Sequence, residues 1–313
     1  MSGSQRHPRT AMVTGASSGI GEEYARRLAE RGFALVLVAR RADRLERLAA
    51  ELRADYGVDV TAMPADLGDE DGLAAVESRL RDDGDAAPID LLVNNAGRGH
   101  GGDLADLDPA AIDAVIGLNV RALVRLTRAV LPGQIRRAER RAVERPEPAE
   151  RRVAERPEPS APRAWPFRAG GGGKRGGERS GPIGVLNVAS VAALLPASPG
   201  GTVYGASKAF VRSFSHSVAV EAAPHGVTVT VVLPGYVRTD MTVAVQRMGL
   251  PGIAFVDKER VVVESLRAWA AGASEVIPGM PYKAAGGLLR VVPGELFRQA
   301  VRRLGIRRMG NGE

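Results

Sequence analysis

The sequence predicts an α/β protein built on a parallel, doubly wound sheet. Short β-branched runs alternate with amphipathic helical patterns through the first half of the chain. The predicted strands are apolar on both faces, as buried parallel strands are. Strands joined by helices in this way form parallel sheets with right-handed crossovers. The chain has 313 residues, 44% of them apolar, which is enough to bury a full core.

The elements follow one another in a regular order. Met12-Val13 runs into a glycine-rich loop, and Ile20, Tyr24 and Leu28 then recur at helical spacing within a helix over 20–30. Further strands are predicted at 34–38, 58–63, 89–93, 183–188, 227–233 and 276–277. Further helices are predicted at 41–56, 69–81, 112–131 (as one or two helices), 203–222, 257–271 and 283–304.

The pattern is interrupted between residues 134 and 181. AERRAVERPEP at 138–148 is followed by AERRVAERPEP at 149–159, and then by a glycine-rich basic tract at 170–177. Such a composition buries too little apolar surface to offset the chain entropy lost on folding. We therefore predict that 1–133 and 182–313 form a single domain and that 134–181 is a disordered basic insertion.

The positive charge of the chain belongs to this insertion. It holds 13 Lys and Arg against 7 Glu, or +6 of the net +7. The remaining residues are nearly neutral, so the folded domain lacks the basic surface of a nucleic-acid-binding protein. A separate binding role for the insertion itself, to nucleic acid or an acidic partner, is a weaker alternative, because its glutamates are interleaved with its basic residues.

Several classes of site are excluded by composition. The chain has no cysteine, which rules out disulfides and thiolate metal sites. Its four histidines, His7, His100, His216 and His225, have no metal-ligand spacing, so no metal site is predicted, although His100 could reach a substrate cleft. The longest apolar runs have strand length, and residues 1–9 lack the apolar segment of a signal peptide. We expect a cytoplasmic protein without a membrane anchor.

Gly15, Gly19 and Gly21 predict a dinucleotide site. They follow the first strand and open the first helix, with the spacing G-x3-G-x-G. Phosphates bind where the backbone can approach closely and where a helix N-terminus presents free amides. An ordinary glycine-rich turn between strand and helix is the alternative.

Arg40 and Arg41 lie at the end of the second predicted strand. An acidic residue there would accept hydrogen bonds from a ribose hydroxyl, whereas arginines favour a 2′-phosphate. The pair therefore predicts NADP rather than NAD as cofactor. The alternative is that both are solvated charges at a helix N-terminus, where the helix dipole disfavours cations.

Tyr204 and Lys208 stand four residues apart in YGASK, on one face of a helix. A nearby ammonium stabilises the phenolate and is expected to lower the pKa of the tyrosine toward the working range of a general acid/base. Taken alone, a YxxxK spacing is common.

The pair stands in an ordered set of motifs. TGASSGIG occupies 14–21, NNAG 94–97, NVAS 187–190, YGASK 204–208 and PG 234–235. In this order they resemble the short-chain dehydrogenase/reductase family over roughly residues 9–280. The resemblance implies a Rossmann-type oxidoreductase that uses a nicotinamide cofactor.

The resemblance also implies a catalytic tetrad of Asn119, Ser190, Tyr204 and Lys208. Tyr204 would exchange a proton with the substrate oxygen, Ser190 would hold that oxygen, and Lys208 would lower the tyrosine pKa and bind the nicotinamide ribose. Asn119 would support a water that carries the proton onward. Two departures from the family pattern are an interval of 14 residues between Ser190 and Tyr204, one more than expected, and the insertion that separates Asn119 from Ser190.

The remaining cofactor contacts implied by the resemblance span the whole domain. They include the adenine pair Asp66 and Leu67, the ribose group Asn94, Ala96 and Gly97, and the nicotinamide group Pro234, Gly235, Val237 and Thr239. Loop residues Ser17, Ser18 and Ile20, with Gly15, Gly19, Gly21, Arg40, Arg41, Tyr204 and Lys208, complete the predicted binding set.

These observations predict an NADP-dependent oxidoreductase acting on a carbonyl compound or secondary alcohol. A non-catalytic NADP-binding sensor or scaffold is the alternative, although such proteins normally lose the tyrosine or the lysine first. The stretch 241–255 is rich in apolar residues and would cover an apolar substrate.

The resemblance further implies a homodimer or homotetramer. Seven apolar residues on the helices that carry Asn119 and Tyr204 could form the subunit contact: Leu118, Leu123, Leu126, Val130, Val211, Phe214 and Val218. Packing within the subunit is the alternative for the same positions.

Overall fold

Seven strands of the chain form one fully parallel sheet in a computed structural model. The structure describes residues 8–81, 86–144, 181–239 and 252–280, together with 242–243, 246, 282–283, 295 and 297–299. The strands of this sheet are β1 (Thr10–Thr14), β2 (Ala34–Ala39), β3 (Val60–Pro64), β4 (Ile89–Asn94), β5 (Ile183–Val188), β6 (Val227–Val232) and β9 (Glu275–Val276). Their order in the sheet is β3-β2-β1-β4-β5-β6-β9. A separate two-stranded parallel ribbon joins β7 (Tyr236–Val237) to β8 (Phe255–Val256).

Helices cover both faces of the sheet. They are α1 (Gly19–Ala29), α2 (Ala42–Tyr56), α3 (Glu70–Leu80), α4 (Pro109–Ile116), α5 (Leu123–Glu144), α6 (Thr202–Ala222) and α7 (Lys258–Ala270). Alternate residues of β1 divide between two cores: Ala11 and Val13 pack with α1, α2 and α7, and Met12 packs with α3, α5 and α6. The predicted single-domain, doubly wound α/β fold is confirmed.

The predicted helix at 112–131 is two α-helices joined by a π-helical turn. Asp108 begins α4 by accepting a hydrogen bond from the Ala110 amide at 3.0 Å, and Pro109 occupies the first helical position. The π-helical turn Gly117–Ala122 then links α4 to α5. Such turns are rare inside helices and frequent at functional sites.

The boundary predicted for the insertion is wrong, because α5 continues through residues 134–144. Gln134 is fully buried and donates to the carbonyl of Gly184 at 2.9 Å. Arg137, also buried, donates to the carbonyl of Ile89 at 2.6 Å. From the composition of this segment, Gln134 and Arg137 would be expected to be exposed. They are stabilised inside the protein because they donate hydrogen bonds to strand carbonyls. Residues 145–180 of the predicted insertion lie outside the described residues, as do most of 240–251 and of the tail predicted as a helix.

Replacing 145–180 with a short Gly/Ser linker should leave kcat/KM within about three-fold of the unmodified chain. The segment joins a helix to a strand, and such connections lie at the rim opposite the carboxyl ends of the strands, where ligands bind. A longer connection also costs little additional closure entropy. Steady-state kinetics of the shortened chain test this prediction, and a large loss of activity in a shortened chain that still folds would contradict it.

The matched control extends the replacement to 134–180. It removes Gln134 and Arg137 along with the rest and should lower the melting temperature markedly, because carbonyls of β4 and β5 would lose their partners.

Most of the apolar residues considered for a subunit contact are buried within the chain. Leu123, Leu126, Val130, Val211 and Val218 are each at most 6% exposed. The alternative, packing within the subunit, is therefore correct for these five positions. Leu118 and Phe214 are partly buried against the same cores.

Within the part of the chain that the structure describes, no helix has both the length and the apolar character needed to cross a lipid bilayer.

Candidate active site

The glycine loop between β1 and α1 has the backbone that its sequence predicts. Gly15 and Gly19 adopt left-handed conformations, with φ of 68° and 62°. A Cβ at Gly21 would overlap the carbonyl oxygen of Gly15, so the first turn of α1 packs directly on the loop. Ser18, at the N-cap of α1, makes no side-chain cap hydrogen bond. A bare, closely approachable helix N-terminus fits the pyrophosphate of a dinucleotide.

Arg41 lies over this loop. Its Nη2 donates to the hydroxyls of Ser17 and Ser18, each at 3.0 Å. Arg40 is 74% exposed, and its Nη1 lies 3.9 Å from a carboxylate oxygen of Asp66. The two arginines thus differ: Arg41 is fixed at the rim of the loop, and Arg40 extends into solvent.

Thr14 and Asn95 join the glycine loop to the loop after β4. The hydroxyl of Thr14 accepts from the amides of Asn95 and Ala96, each at 3.0 Å, and Nδ2 of Asn95 donates to the carbonyl of Thr14 at 3.0 Å. These three hydrogen bonds bring the NNAG motif alongside the glycine loop. Asn95 is not among the predicted cofactor residues, although it belongs to the same NNAG motif as Asn94, Ala96 and Gly97.

The side chain of Asn94, a residue predicted to line the ribose, is buried, which leaves only its backbone atoms for a ligand. Asn94 is 3% exposed, and its Nδ2 donates to Thr127 and to Asn187, each at 3.0 Å. It is the last residue of β4, and strand alternation turns its side chain into the protein. Asn94 therefore bridges β4 to β5 and α5.

The other predicted cofactor residues divide by burial. The side chains of Leu67 and Val237 belong to the two cores, which leaves their backbone atoms for a ligand. Gly97 lies in the site itself, because a Cβ there would be 3.2 Å from Oδ1 of Asn119 and 3.3 Å from Nζ of Lys208. Thr239 lies beside the phosphate loop, where its Cγ2 would be 3.1 Å from a Cβ at Gly19.

Ser190 and Tyr204 come together despite their longer spacing. The Ser190 hydroxyl lies close enough to the Tyr204 phenol to influence its pKa, and it accepts from the Ala192 amide at 3.2 Å. The loop 195–201 accommodates the extra residue, with Gly200 at a φ of 71°. Burial raises the pKa of the Tyr204 phenol, the nearby Ser190 hydroxyl opposes that rise, and Tyr236 adds to it.

Lys208 completes this group from one turn along α6. It is 5% exposed, its Nζ donates to the carbonyl of Val188 at 2.9 Å, and it lies 5.8 Å from the centre of the Tyr204 ring. Burial lowers the pKa of Lys208 to about 8. The expectation that Lys208 holds the tyrosine pKa below its ordinary value is wrong for the protein alone, because burial raises that pKa and Lys208 is not among the groups that lower it.

Asn119 reaches the site from the π-helical turn. Its Oδ1 accepts from the Arg98 amide at 2.9 Å, and its Nδ2 donates to the Arg98 carbonyl at 2.9 Å and to the Ser207 hydroxyl at 3.0 Å. Ser207 in turn donates to the carbonyl of Tyr204 at 2.7 Å. The four predicted tetrad residues therefore meet at the carboxyl end of the sheet.

His100 lies at the first turn of α6. Its Nε2 accepts from the amides of Val203 at 3.2 Å and of Tyr204 at 3.3 Å. The sequence predicts only that His100 could reach the substrate cleft. Its contact with the backbone of α6 has no signal in the sequence.

Aromatic residues flank the reacting group. Tyr236, directly after the PG motif, is 39% exposed, and its ring centre lies 6.4 Å from that of Phe255. The two residues are directly paired in the β7–β8 ribbon. Arg238 lies over Phe255 at 4.5 Å, and the hydroxyl of Tyr282 accepts from the Tyr236 amide at 3.2 Å. Sequence reasoning missed Tyr236, whose only signal was its place after PG.

Comparison with known proteins gives consistent matches. The short chain dehydrogenase family model matches residues 9–143 and 178–249 of the chain. A very-long-chain 3-oxoacyl-CoA reductase of Anas platyrhynchos is 32% identical over 237 residues, which cover 74% of the chain and 61% of that relative. The chain thus spans less than two thirds of the length of this relative.

Solved structures match over nearly the whole chain. A short-chain dehydrogenase of Sphingobium yanoikuyae, in complex with NADPH, is 32% identical with a TM-score of 0.70, covering 97% of this chain and 98% of that one. A bulky-bulky ketone specific alcohol dehydrogenase of Comamonas testosteroni is 30% identical with a TM-score of 0.67, covering 92% and 96%.

Proposed function

The chain belongs to the short-chain dehydrogenase family, and from that premise we propose that it is an NADP(H)-dependent oxidoreductase interconverting a carbonyl compound and a secondary alcohol. The observation that carries the proposal is the grouping of Tyr204 with the nearby Ser190 hydroxyl and with buried Lys208 one helical turn away, beside an open glycine loop. A binding protein without catalytic function would have no need of this group.

The side chains divide the acid/base work. Bound NADP(H) supplies or accepts the hydride. The hydroxyls of Ser190 and Tyr204 donate to the substrate oxygen, and Tyr204 gives up its proton as that oxygen becomes an alcohol. The raised pKa of Tyr204 keeps it protonated for reduction. Lys208, with a pKa of about 8, can exchange a proton near neutral pH.

Arg41 is the residue best placed to recognise a 2′-phosphate. It is held at the rim of the phosphate loop by the hydroxyls of Ser17 and Ser18. A charge-assisted contact to phosphate contributes about 1.5–3 kcal/mol. Arg41→Ala should therefore weaken NADPH binding by about 10- to 100-fold and leave NADH binding within about two-fold, as measured by titration of nucleotide fluorescence.

The matched control is Arg140→Ala. Arg140 is exposed on α5, beyond Gln134 and Arg137, which contact the starts of β5 and β4 at the opposite edge of the sheet, so its loss should change neither affinity. Equal losses of NADPH and NADH affinity in Arg41→Ala would contradict the assignment, as would tighter binding of NADH than NADPH by the unmodified chain.

The substrate we propose is an apolar carbonyl compound or alcohol with a bulky group beside the reacting carbon. The paired rings of Tyr236 and Phe255 support this, since they form an aromatic surface next to Tyr204. The ketone specificity of the Comamonas relative agrees with it.

Consumption of NADPH with a panel of carbonyl compounds tests the proposal. Bulky aryl and alkyl ketones should be reduced faster than small or charged aldehydes. NADPH binding without turnover of any compound would instead favour a sensor or scaffold.

We also propose a homodimer or homotetramer. Phe210 on α6 is 43% exposed and stacks on Phe214 with ring centres 6.0 Å apart, so it leaves an apolar surface uncovered on the helix of the YGASK motif. Light scattering at micromolar concentration should give a mass of two or four chains, and Phe210→Glu should shift it toward one. A mass of one chain for the unmodified protein would contradict the proposal.

A further inference from the structure

Helix α6, which carries Tyr204, has no side-chain cap at its own N-terminus. Its N-cap residue is Gly201, which has no side chain. The first amides of any helix lack acceptors within the helix, and the second and third are those that an N-cap Ser, Thr, Asp or Asn normally satisfies. In α6 these are the amides of Val203 and Tyr204. The helix therefore needs an acceptor from elsewhere in the chain.

His100 provides that acceptor from the loop after β4. Its Nε2 lies 3.2 Å from the Val203 amide nitrogen and 3.3 Å from that of Tyr204. A ring nitrogen accepts only when it carries no proton, so these two contacts require an unprotonated Nε2 and a ring proton on Nδ1, a buried atom that has no hydrogen-bond partner among the described residues. An imidazolium would have no acceptor to offer and would place a cation at the positive end of the helix dipole.

The same loop also holds the other peptide group of Tyr204. The Tyr204 carbonyl accepts from the Ser207 hydroxyl at 2.7 Å, and Asn119 donates to Ser207 at 3.0 Å. Asn119 is bonded at both ends of its amide to the backbone of Arg98, two residues before the histidine. The backbone on both sides of the Tyr204 side chain is thus linked to residues 98–100.

We propose that His100 is a positioning residue for the reaction. As a neutral imidazole protonated at Nδ1, it fixes the first turn of α6 and so sets the place of the Tyr204 hydroxyl relative to Ser190. It acts through the helix backbone and not on the reacting atoms. Its kinetic consequence rests on the proposed function, whereas its tautomer does not. A displacement of about 1 Å at a reacting group costs on the order of 100-fold in rate, so a loose first turn would be costly.

Three substitutions separate positioning from bulk stability. His100→Gln places an amide oxygen near the position of Nε2, His100→Asn has an acceptor that falls short of it, and His100→Leu has none. We expect kcat to fall about 10- to 100-fold in His100→Asn and His100→Leu and to stay within about three-fold of the unmodified value in His100→Gln. The Kd for NADPH should stay within about two-fold in all three, because the phosphate loop lies on other elements.

His225→Leu is the matched control. His225 is 43% exposed and bonds Glu139 at 2.7 Å just past the C-terminus of α6, at the opposite end of this helix from Tyr204, so its loss should not change kcat. If His100→Leu fails to fold, the contrast between the Gln and Asn variants decides the question. Equal kcat in those two, or kcat within two-fold of the unmodified value in His100→Leu, overturns the proposal.

Nitrogen NMR with 15N-labelled histidine tests the tautomer without any substrate. The chain has four histidines, and the spectrum of His100→Gln identifies the signals of His100 by their loss. At mildly alkaline pH, Nδ1 of His100 should carry the proton and Nε2 should not. A protonated Nε2 overturns the proposal whether or not a carbonyl substrate has been found. Absence of turnover by the unmodified chain, with the expected tautomer, contradicts only the proposed function.

Discussion

Tyr204→Phe should lower kcat by about 1000-fold or more while the protein remains folded and binds NADPH. General acid/base catalysis by a positioned side chain contributes about 100- to 10,000-fold, and Tyr204 is the side chain that lies beside both Ser190 and Lys208. Phenylalanine keeps the partly buried ring and removes only the hydroxyl. Single-turnover kinetics with the best ketone of the panel measure the loss, and titration with NADPH verifies binding.

Tyr236→Phe is the matched control for this substitution. Tyr236 lies close enough to influence the Tyr204 pKa, yet it is 39% exposed, and the phenylalanine preserves the aromatic surface with Phe255. It should keep kcat within about five-fold. Near-native activity of Tyr204→Phe, or equal losses in the two variants, would show that another group transfers the proton.

Lys208→Met should abolish most activity and at the same time stabilise the protein without nucleotide at pH 7. The buried ammonium has a pKa of about 8, against about 10.4 for a free lysine. Between about pH 8 and about pH 10.4 the unfolded chain therefore binds more protons than the folded one. Burial of the charged ammonium lowers the free energy of unfolding, and this loss is fully present below about pH 8. Methionine fills similar volume without charge. After subtraction of the lost bond to Val188, the gain should be on the order of 2 kcal/mol.

The pH dependence identifies the source of that gain. As pH rises from about 8 to 10, the unmodified protein should recover stability relative to Lys208→Met, so the difference in their melting temperatures should narrow. Lys258→Met, at a 42% exposed side chain on α7, should show no such gain. A Lys208→Met protein that is less stable than the unmodified chain at pH 7 would mean that the ammonium stabilises the fold.

The sequence predicts the sheet and the residues that meet at its carboxyl edge, because both depend on local patterns. Apolar runs identify the strands, TGASSGIG identifies a turn whose glycines are required by its geometry, and YGASK identifies two side chains one helical turn apart. The chain order of these motifs then places them at one edge of the sheet, since all parallel strands end there.

What the sequence does not show are the contacts made across the fold. Gln134 and Arg137 are polar by composition and buried by position, because their partners are strand carbonyls distant in the chain. Asn94 belongs to a binding motif, yet strand alternation turns it inward. The Tyr204 pKa likewise depends on how deeply the ring is buried, which spacing along a helix does not reveal.

The π-helical turn Gly117–Ala122 sets how far α5 is rotated about the helix axis relative to α4. Its hydrogen bonds join residues five apart, so each closes around one residue more than in an α-helix. Each residue of an α-helix advances the chain by about 100°. Deleting one residue here would favour an uninterrupted α-helix and would rotate Asn119 out of line with Arg98 and Ser207. The place of the Asn119 amide is therefore specified by the length of this helix as well as by its composition.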